Sequence, residues 1–587
     1  MRKLLIAGSL LLLLGLANLA VWSRQPAQVE PAPTLIPPTP IPRQDTGELD
    51  ILPSESAVAR IQESEQVNVG ILFNAPPFAE LNVRGELIGY DADIARSMAE
   101  MWGVEVNFIQ MTRSASAQAK MLRSGEADML IGAQVNRREN HTLMEYTQTY
   151  FLGQQSMMVR ADDEAASPDD LNGRTIGVVI ASPSEEATRD WVTRNNLNIN
   201  IQTFMTLDRA HAALENNQVA GVVDSDYRLQ RVSQLRPELI RILEQPIQLE
   251  PYAIAVLRQD VGMRELVNRS LQFLTVSGQM EDIHQSYFPG AIYDYTLLWA
   301  NLGDEAPDPA QFESDLPFPE MYIVPRLQGG QPVRVTGLNG VTADSDAPES
   351  ERRLDVFHRE LIQEMASRWD VEVEFVPGSP DQAVELIASG QADIALGLTP
   401  DWNAADRIDY SGYYLLHGER LMVRMNDDTR GFSDLGGGRT VLTPNNEPTA
   451  ASRAVAIAES VNARIEIEQV PEDSLGFEML ADEDTEIGAA FGDSLRLIPH
   501  VQSNADLLRL TRTDDDSDAR WYSKSVMALG VPRNDIDFRL LVEYTLQELI
   551  RDGTLERLLQ PLVIPGEQPV LEIWPGSGNY LGFTLAR

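Results

Sequence analysis

The sequence predicts an α/β protein built from two tandem copies of one module. Two observations support this prediction: a repeat that keeps its register over most of the chain, and an alternation of short apolar runs with longer amphipathic ones. The chain has 587 residues, too many for one hydrophobic core, so several compact units are expected.

The repeat can be followed at several points along the chain. The run from Met98, MAEMWGVEVNFI, returns from Met365 as MASRWDVEVEFV, and SGEADMLIG from Ser124 returns from Ser389 as SGQADIALG. YTQTYFLGQQSMMVR likewise aligns without a gap with YSGYYLLHGERLMVR, again about 265 positions later. A period this long excludes a solenoid and indicates duplication of a whole unit of about 230 residues.

Each copy alternates strand and helix patterns. VNVGILF predicts a buried strand, DADIARSMAEMWG predicts an amphipathic helix, and VEVNFI alternates as a half-buried strand does. This order predicts a right-handed βαβ unit, and the apolar run ADMLIGA after Gly125 predicts a further strand. In such sheets ligands bind beyond the carboxyl ends of the strands.

Composition and breaks in the repeat predict how the chain is divided. The predicted parts are a signal peptide or signal anchor (1–24), a Pro-rich stalk (25–56), module 1 (57–290), a Pro- and acid-rich linker (291–332), a divergent module 2 (333–565) and a C-terminal tail (566–587). Arg2 and Lys3 precede an apolar run of about 19 residues, which fits either a cleaved signal or a membrane-spanning anchor. Because a stalk serves a tethered protein best, we expect an extracytoplasmic protein held at the cytoplasmic membrane.

Charge and residue usage exclude several classes of function. The formal net charge of −41 disfavours binding to nucleic acid and anionic lipid. The chain has no cysteine, its six histidines lack metal-ligand spacing, and none of its lysines follows a phosphate-binding glycine loop. We therefore expect no metal, no cofactor and no ATPase activity, and we expect a binding protein rather than an enzyme.

Several motifs of module 1 resemble a known family. They are Asn74 to Phe78 (NAPPF), Gly85 to Ala95 (GELIGYDADIA), the run SGEAD, the run YTQTYF and the closing YAIAV. In order and spacing they resemble the family 3 bacterial extracellular solute-binding proteins. Module 2 resembles the family more weakly, because it lacks the NAPPF and GYDADIA blocks.

The resemblance implies the type II periplasmic-binding fold, in which each module has two α/β lobes around a ligand cleft. It also implies an amino acid or similar small polar solute as ligand, and delivery to an ABC transporter permease. A membrane-tethered sensor or interaction module that uses the fold without transport is the alternative. An enzyme such as a dehydratase of cyclic acids is a further alternative on this fold.

Buried zwitterions need an acid for the ammonium, and a cation or helix N-terminus for the carboxylate. Asp224, which follows an apolar strand, stands where the family's ammonium-binding Asp does. Ser182 opens a capping box after another strand, where the family has a ligand-contacting Thr or Ser. The family's carboxylate-binding Arg aligns with Asn140, so we expect a small shift of the loop to bring Arg138 into place.

The resemblance assigns side-chain specificity to Phe73, Asn74 and Gln118, and to Phe78 if it faces the cleft rather than the core. Gln118 stands where binders of acidic amino acids tend to have Arg, which argues against glutamate as the ligand.

Module 2 differs from module 1 at the corresponding positions. Asp493 matches the ammonium-binding Asp, but Glu447 replaces the Ser, and Ala404 falls where the Arg is expected. With no guanidinium to offset Glu447, a ligand carboxylate would be repelled. We therefore expect module 2 to bind a different solute, or to bind none and serve as a spacer or docking surface.

Overall fold

A computed structural model describes residues 55–291, 297–316, 318–319, 322–340, 345–476, 480, 486–513, 518–568 and 571–576. The expected signal peptide or anchor and nearly all of the expected stalk lie outside these residues. Within the described ranges, no helix is both long and apolar enough to cross a membrane.

Module 1 contains both helices and strands in alternation. Its strands are β1 (Gln66–Ile71), β2 (Asn74–Ala75), β3 (Ala79–Leu81), β4 (Leu87–Ile88), β5 (Glu105–Gln110), β6 (Met129–Leu130), β7 (Glu145–Arg160), β8 (Thr175–Val179), β9 (Asn200–Phe204), β10 (Gly221–Ser225), β11 (Ile240–Ile242) and β12 (Gln248–Val256). Its helices are α1 (Ala57–Ser64), α2 (Tyr90–Met101), α3 (Ala115–Arg123), α4 (Pro183–Arg194), α5 (Leu207–Glu215), α6 (Asp226–Leu235), α7 (Val261–Val276) and α8 (Gln279–Tyr287).

One sheet of nine strands runs through both lobes of module 1. Its order is β5-β1-β6-β12-β7-β10-β8-β9, and β11 also pairs with β7. The first half of β7 pairs with β12 and its second half with β10, so this 16-residue strand joins the lobes. β1 lies parallel to β5, as the predicted βαβ unit requires.

The block GYDADIA forms the start of α2. Gly89 precedes the helix at φ 136°, and a Cβ there would lie 2.2 Å from the carbonyl oxygen of Phe78, so only glycine fits. Asp91 in the first turn accepts hydrogen bonds from the Ala133 amide (2.6 Å) and the Tyr150 hydroxyl (2.8 Å). This carboxylate therefore fixes the loop that follows β6 and borders the cleft.

Module 2 repeats the layout with its sheet divided. Its strands are β13 (Val333–Thr336), β14 (Val373–Phe375), β15 (Ile394–Leu398), β16 (Ile408–His417), β17 (Glu419–Arg424), β18 (Arg439–Pro444), β19 (Ile465–Val470), β20 (Ile487–Asp493), β21 (Leu508–Leu510) and β22 (Ser525–Pro532). Its helices are α9 (Ile323–Gln328), α10 (Glu349–Trp369), α11 (Pro380–Ala388), α12 (Pro448–Ser460), α13 (Ser494–Ser503), α14 (Ile536–Arg551) and α15 (Thr554–Leu559). α9 lies within the expected linker, but its apolar residues pack into the core of module 2.

Two five-stranded sheets, β14-β13-β15-β22-β16 and β19-β18-β20-β17-β21, form the two lobes of module 2. Gly418 separates β16 from β17 at φ 151°, whereas Gln154, its counterpart in the repeat, lies within the continuous β7. The tandem α/β fold with two lobes per module is confirmed.

Each lobe has its own apolar core. In the first lobe of module 1, Phe78 is only 1% exposed and meets the rings of Tyr90, Phe151 and Tyr252. Phe78 therefore lies in the core rather than in the cleft.

The two modules contact each other through a buried set of reciprocal ion pairs. Arg264 of α7 contacts Asp409 at 2.7 Å, and Arg539 of α14 pairs with Glu145. The partners occupy equivalent positions in the two copies of the repeat. Arg264 and Arg539 each lie four residues after the Asp that caps their helix. Glu145 and Asp409 each directly precede the Tyr that begins the aligned runs YTQTYF and YSGYYL. Corresponding residues thus meet on both sides, as in a two-fold symmetric interface.

Part of the C-terminal segment joins this contact. Glu572 accepts a hydrogen bond from the Thr149 hydroxyl at 2.8 Å, and the Trp574 ring lies 4.5 Å from that of His141, between ring centroids. The segment thus crosses from module 2 to β7 of module 1.

Candidate ligand-binding cleft

A cleft of 660 Å³ lies between the two lobes of module 1. Its polar lining comes from both lobes and from the strand β12 between them. These residues are Arg113, Gln118, Gln134, Arg137, Glu139, Asn140, Ser182, Glu185, Glu186, Arg189 and Glu250. The volume suits a small organic ligand.

Ser182 caps α4 at the edge of this cleft. Its hydroxyl accepts a hydrogen bond from the Glu185 amide at 3.2 Å and donates to the Val179 carbonyl at 2.7 Å. Pro183 occupies the first helical position, which leaves no unused N–H there. The predicted cap is confirmed, and it directs the α4 N-terminus towards the cleft, where the helix dipole favours negative charge.

Arg137, rather than Arg138, lines the cleft. Its guanidinium contacts Glu186 of α4 at 2.6 Å and Glu139 at 2.7 Å, so it links one lobe to the other. Arg138 is 2% exposed, contacts Glu548 of module 2 at 2.8 Å and donates to Gln547 at 3.0 Å. The structure therefore places Arg138 at the contact with module 2 and not among the residues that line the cleft, because Nη1 and Nη2 both bind module 2 side chains.

Gln118 lies inside the cleft, as expected for a specificity residue. Its side-chain amide exchanges hydrogen bonds with that of Gln134, at 3.2 and 3.1 Å, and donates to the Thr112 carbonyl at 2.9 Å. Gln134 is a further lining residue that the sequence did not single out for binding. The pair presents a neutral polar wall to the ligand.

Asp224 ends β10 and lies beside the first turn of α4. Its Oδ1 accepts from the Ser225 amide at 2.7 Å, from Ser184 at 3.3 Å and from Arg228 at 3.2 Å. Its Oδ2 has no hydrogen-bond partner among the described residues. Burial raises the pKa of Asp224 against the effect of Arg228. Asp224 is not among the lining residues, but it contacts Ser184 in the first turn of α4, which borders the cleft.

Glu250 is a cleft residue that sequence analysis missed. It is 2% exposed, and its Oε2 accepts from Gln155 at 3.0 Å. Burial raises its pKa to about 7. The sequence did contain a signal for Glu250, because it is a single acid at the start of the apolar run EPYAIAV. A charged residue is rarely buried in such a run unless it has a partner.

Phe73 and Asn74 are not among the lining residues. Phe73 is half-buried against the first-lobe core, and Asn74 is exposed in β2. Their role in ligand specificity stays a prediction.

The site of module 2 is occupied by its own side chains. Asp493 accepts from His417 at 2.7 Å and from the Leu495 amide at 2.9 Å. Burial acts to raise the pKa of Asp493, but His417 and Arg496 hold it below its usual value. Glu447 accepts from the Asp493 amide at 3.1 Å and lies 3.4 Å from Arg496, a guanidinium that the sequence comparison had not foreseen.

A second cavity of 370 Å³ lies between the modules. It is bordered by the reciprocal ion pairs and by Trp299 and Trp574. Its charged walls are largely paired with one another, whereas Glu250 in the cleft of module 1 has a buried oxygen without a hydrogen-bond partner among the described residues, so we assign the ligand site to the cleft.

These features match one family throughout. The profile of the family described as "Bacterial extracellular solute-binding proteins, family 3" matches residues 67–290 and 349–561. The two segments cover most of the chain, one in each module. The chain therefore belongs to this family, as a tandem pair of type II periplasmic-binding modules.

Individual relatives match a single module. The glutamine-binding protein of Geobacillus stearothermophilus is 25% identical over 202 residues, which is 34% of this chain and 75% of that protein. The ABC transporter glutamine-binding protein GlnH of Bacillus subtilis is 21% identical over 244 residues, 41% of this chain and 88% of that protein. A solved ancestral arginine-binding protein bound to arginine is 25% identical, covers 38% of this chain and 98% of its own, and has a TM-score of 0.31.

Proposed function

We propose that the chain is an extracytoplasmic receptor for an amino acid, which it delivers to an ABC transporter permease. The single observation that supports this most is the cleft of module 1, where a cation, a helix N-terminus and the buried carboxylate of Glu250 line a space of about 660 Å³. These are the groups that a buried zwitterion requires. Relatives named as glutamine-binding and arginine-binding proteins of ABC transporters support the same ligand class.

Four residues have the proposed roles in binding. Arg137 and the α4 N-terminus at Ser182 hold the ligand carboxylate, Asp224 accepts from its ammonium, and Gln118 contacts its side chain. Arg137 now pairs with Glu186, so the ligand carboxylate has to replace that partner. Bending at β7 and β12 then closes the lobes over the ligand. The ligand shifts the equilibrium towards this closed form only by the difference between its affinities for the closed and open forms.

Module 2 has the proposed role of a docking partner for module 1. Glu447 already accepts from the backbone amide of Asp493, and the Asp493 carboxylate already pairs with His417, so a ligand ammonium would have to displace His417. This observation also favours the second candidate function, a tethered sensor or interaction module without transport. A permease that co-purifies with the chain would favour transport over sensing.

Calorimetric titration of the full chain with the common amino acids tests the receptor function. We expect saturable binding of one amino acid per chain, without turnover, and a raised unfolding temperature because the ligand binds only the folded state. Full occupancy with two amino acids per chain would contradict the role given to module 2. No saturable binding of any amino acid would contradict the receptor function itself.

A further inference from the structure

Glu250 combines deep burial with an unused oxygen at the floor of the cleft. It lies on β12, opposite Gly153 of β7, where the two strands connect the lobes. Its Oε2 accepts from Gln155, but its Oε1 has no hydrogen-bond partner among the described residues. A buried acceptor without a donor is costly, and it is most often explained by a water, an ion or a ligand.

Other unpaired acceptors lie near Glu250. They are Oδ2 of Asp224, Oδ1 of Asp226 and Oε1 of Gln155. Asp226 and Asp224 both act to raise the pKa of Glu250, which places all three carboxylates within electrostatic reach of one another. The region around Glu250 is therefore rich in acceptors without donors among the described residues.

Among the described residues, no cation forms an ion pair with Glu250. Arg228 contacts Asp224 at 3.2 Å with a side chain that is 48% exposed, so solvent weakens that pair. Arg137 acts on Glu250 through space, but its contacts are to Glu139 and Glu186. One ligand ammonium can offset Asp224, and a second positive charge beside Oε1 would stabilise the ionised form of Glu250 against the effect of its burial.

We infer that Glu250 is a ligand-binding residue and that the cleft takes an amino acid with a cationic side chain. This inference rests on the proposed receptor function and specifies its substrate class. The side chain of such a ligand places several N–H donors against Oε1 of Glu250, while its α-ammonium meets Asp224. An acidic side chain at Glu250 would instead add a like charge close to three carboxylates, Glu250, Asp224 and Asp226.

A matched pair of ligands isolates the role of charge. L-citrulline has nearly the shape of L-arginine but carries a neutral urea in place of the guanidinium. We expect calorimetry on the full chain to show L-arginine binding at least about tenfold more tightly than L-citrulline, because a hydrogen bond to a charged group is lost. L-lysine should bind more tightly than L-glutamine and L-glutamate.

A matched pair of variants isolates Glu250. Glu250→Gln should weaken binding of L-arginine by about tenfold or more and change that of L-citrulline by less than about threefold. Glu265→Gln makes the same change at a carboxylate that is also buried but pairs with Arg533 of module 2, so both ligands should bind it as they bind the wild type.

The outcomes separate this inference from the receptor function. Tight binding of a neutral or acidic amino acid, without preference for L-arginine or L-lysine, would leave the receptor function standing and overturn the inference. Equal losses for L-arginine and L-citrulline in Glu250→Gln would also overturn it. If that variant fails to fold, the order of ligands on the wild-type chain decides. Absence of binding by every amino acid would overturn both.

Discussion

Nη1 of Arg138 lies 2.8 Å from Oε1 of Glu548, in the buried contact between the two modules. The preceding residue, Arg137, points the other way and lines the ligand cleft. Two adjacent guanidinium groups thus contact different parts of the molecule, one the docking interface and one the cleft. Substitution of each should therefore change a different property.

Arg138→Ala should destabilise the chain and leave ligand affinity nearly unchanged. The substitution leaves Glu548 buried with only Arg551, at 2.9 Å, as a charged partner, and breaking a buried ion pair costs roughly 3 kcal/mol. Urea unfolding of the full chain measures the loss. A variant with wild-type stability but no ligand binding would contradict the assignment of Arg138 to the interface.

Arg137→Ala should weaken amino acid binding about tenfold or more, because the ligand carboxylate loses a charged hydrogen bond. Its effect on stability should be small, since its partners Glu139 and Glu186 are both substantially exposed. Glu186→Gln is the complementary change. By removing the competing carboxylate, it should tighten binding slightly, and calorimetry on both variants tests the pair.

Much of the fold could be predicted from the sequence because it depends on patterns repeated along the chain. The repeat and the βαβ pattern predicted both modules, and the amphipathic run DADIARSMAEMWG predicted α2. The undivided sheet of module 1 could not be predicted, because β7 and its counterpart align without a gap. In module 2 the corresponding strand is interrupted at Gly418, whose φ of 151° separates β16 from β17.

The site was harder to predict than the fold because side-chain direction depends on tertiary contacts. The Ser182 cap is local and could be predicted from Ser182-Pro183-Ser184-Glu185 alone. The choice between Arg137 and Arg138 depends on Glu548, more than 400 positions away, which no local pattern indicates. Glu250 was missed because its importance follows from an oxygen left without a partner, which only the folded structure shows.

Asp224→Asn should weaken amino acid binding by about 10-fold to 100-fold while leaving stability unchanged or slightly raised. The ligand ammonium loses its charged acceptor, whereas the folded protein no longer has to bury that charge. The asparagine oxygen can still accept from the Ser225 amide, as Oδ1 does now at 2.7 Å. Calorimetry and urea unfolding on the same preparation measure both effects.

Asp493→Asn is the matched change in module 2. Its carboxylate pairs with His417, so the substitution should lower stability by about 1 kcal/mol and leave binding in module 1 unaltered. Loss of ligand binding in this variant, or a large loss of stability in Asp224→Asn, would contradict the different roles assigned to the two carboxylates.

The interface between the modules should also make stability depend on pH. Arg264 and Arg539 face three carboxylates, Glu145, Asp409 and Glu543, so one negative charge is in excess. Burial raises the pKa of Glu543 to about 7; Arg539 opposes this rise, and Glu145 and Asp409 add to it. In the unfolded chain a glutamate releases its proton near its ordinary pKa of about 4.3.

The sign of the effect follows from these two pKa values. Between them the folded chain keeps a proton that the unfolded chain has lost, so stability is greatest below the unfolded pKa and falls as the pH rises through about 7. Glu543→Gln cannot titrate. From about pH 5 to pH 8 the wild type should therefore lose more stability than this variant, by on the order of 2 kcal/mol.

Urea unfolding at a series of pH values measures the difference. The contributions of the other buried acids cancel in this difference because both chains contain them. Glu281→Gln, an exposed change on α8, should follow the wild type. Parallel curves for Glu543→Gln and the wild type would show that Glu543 keeps its charge in the folded interface.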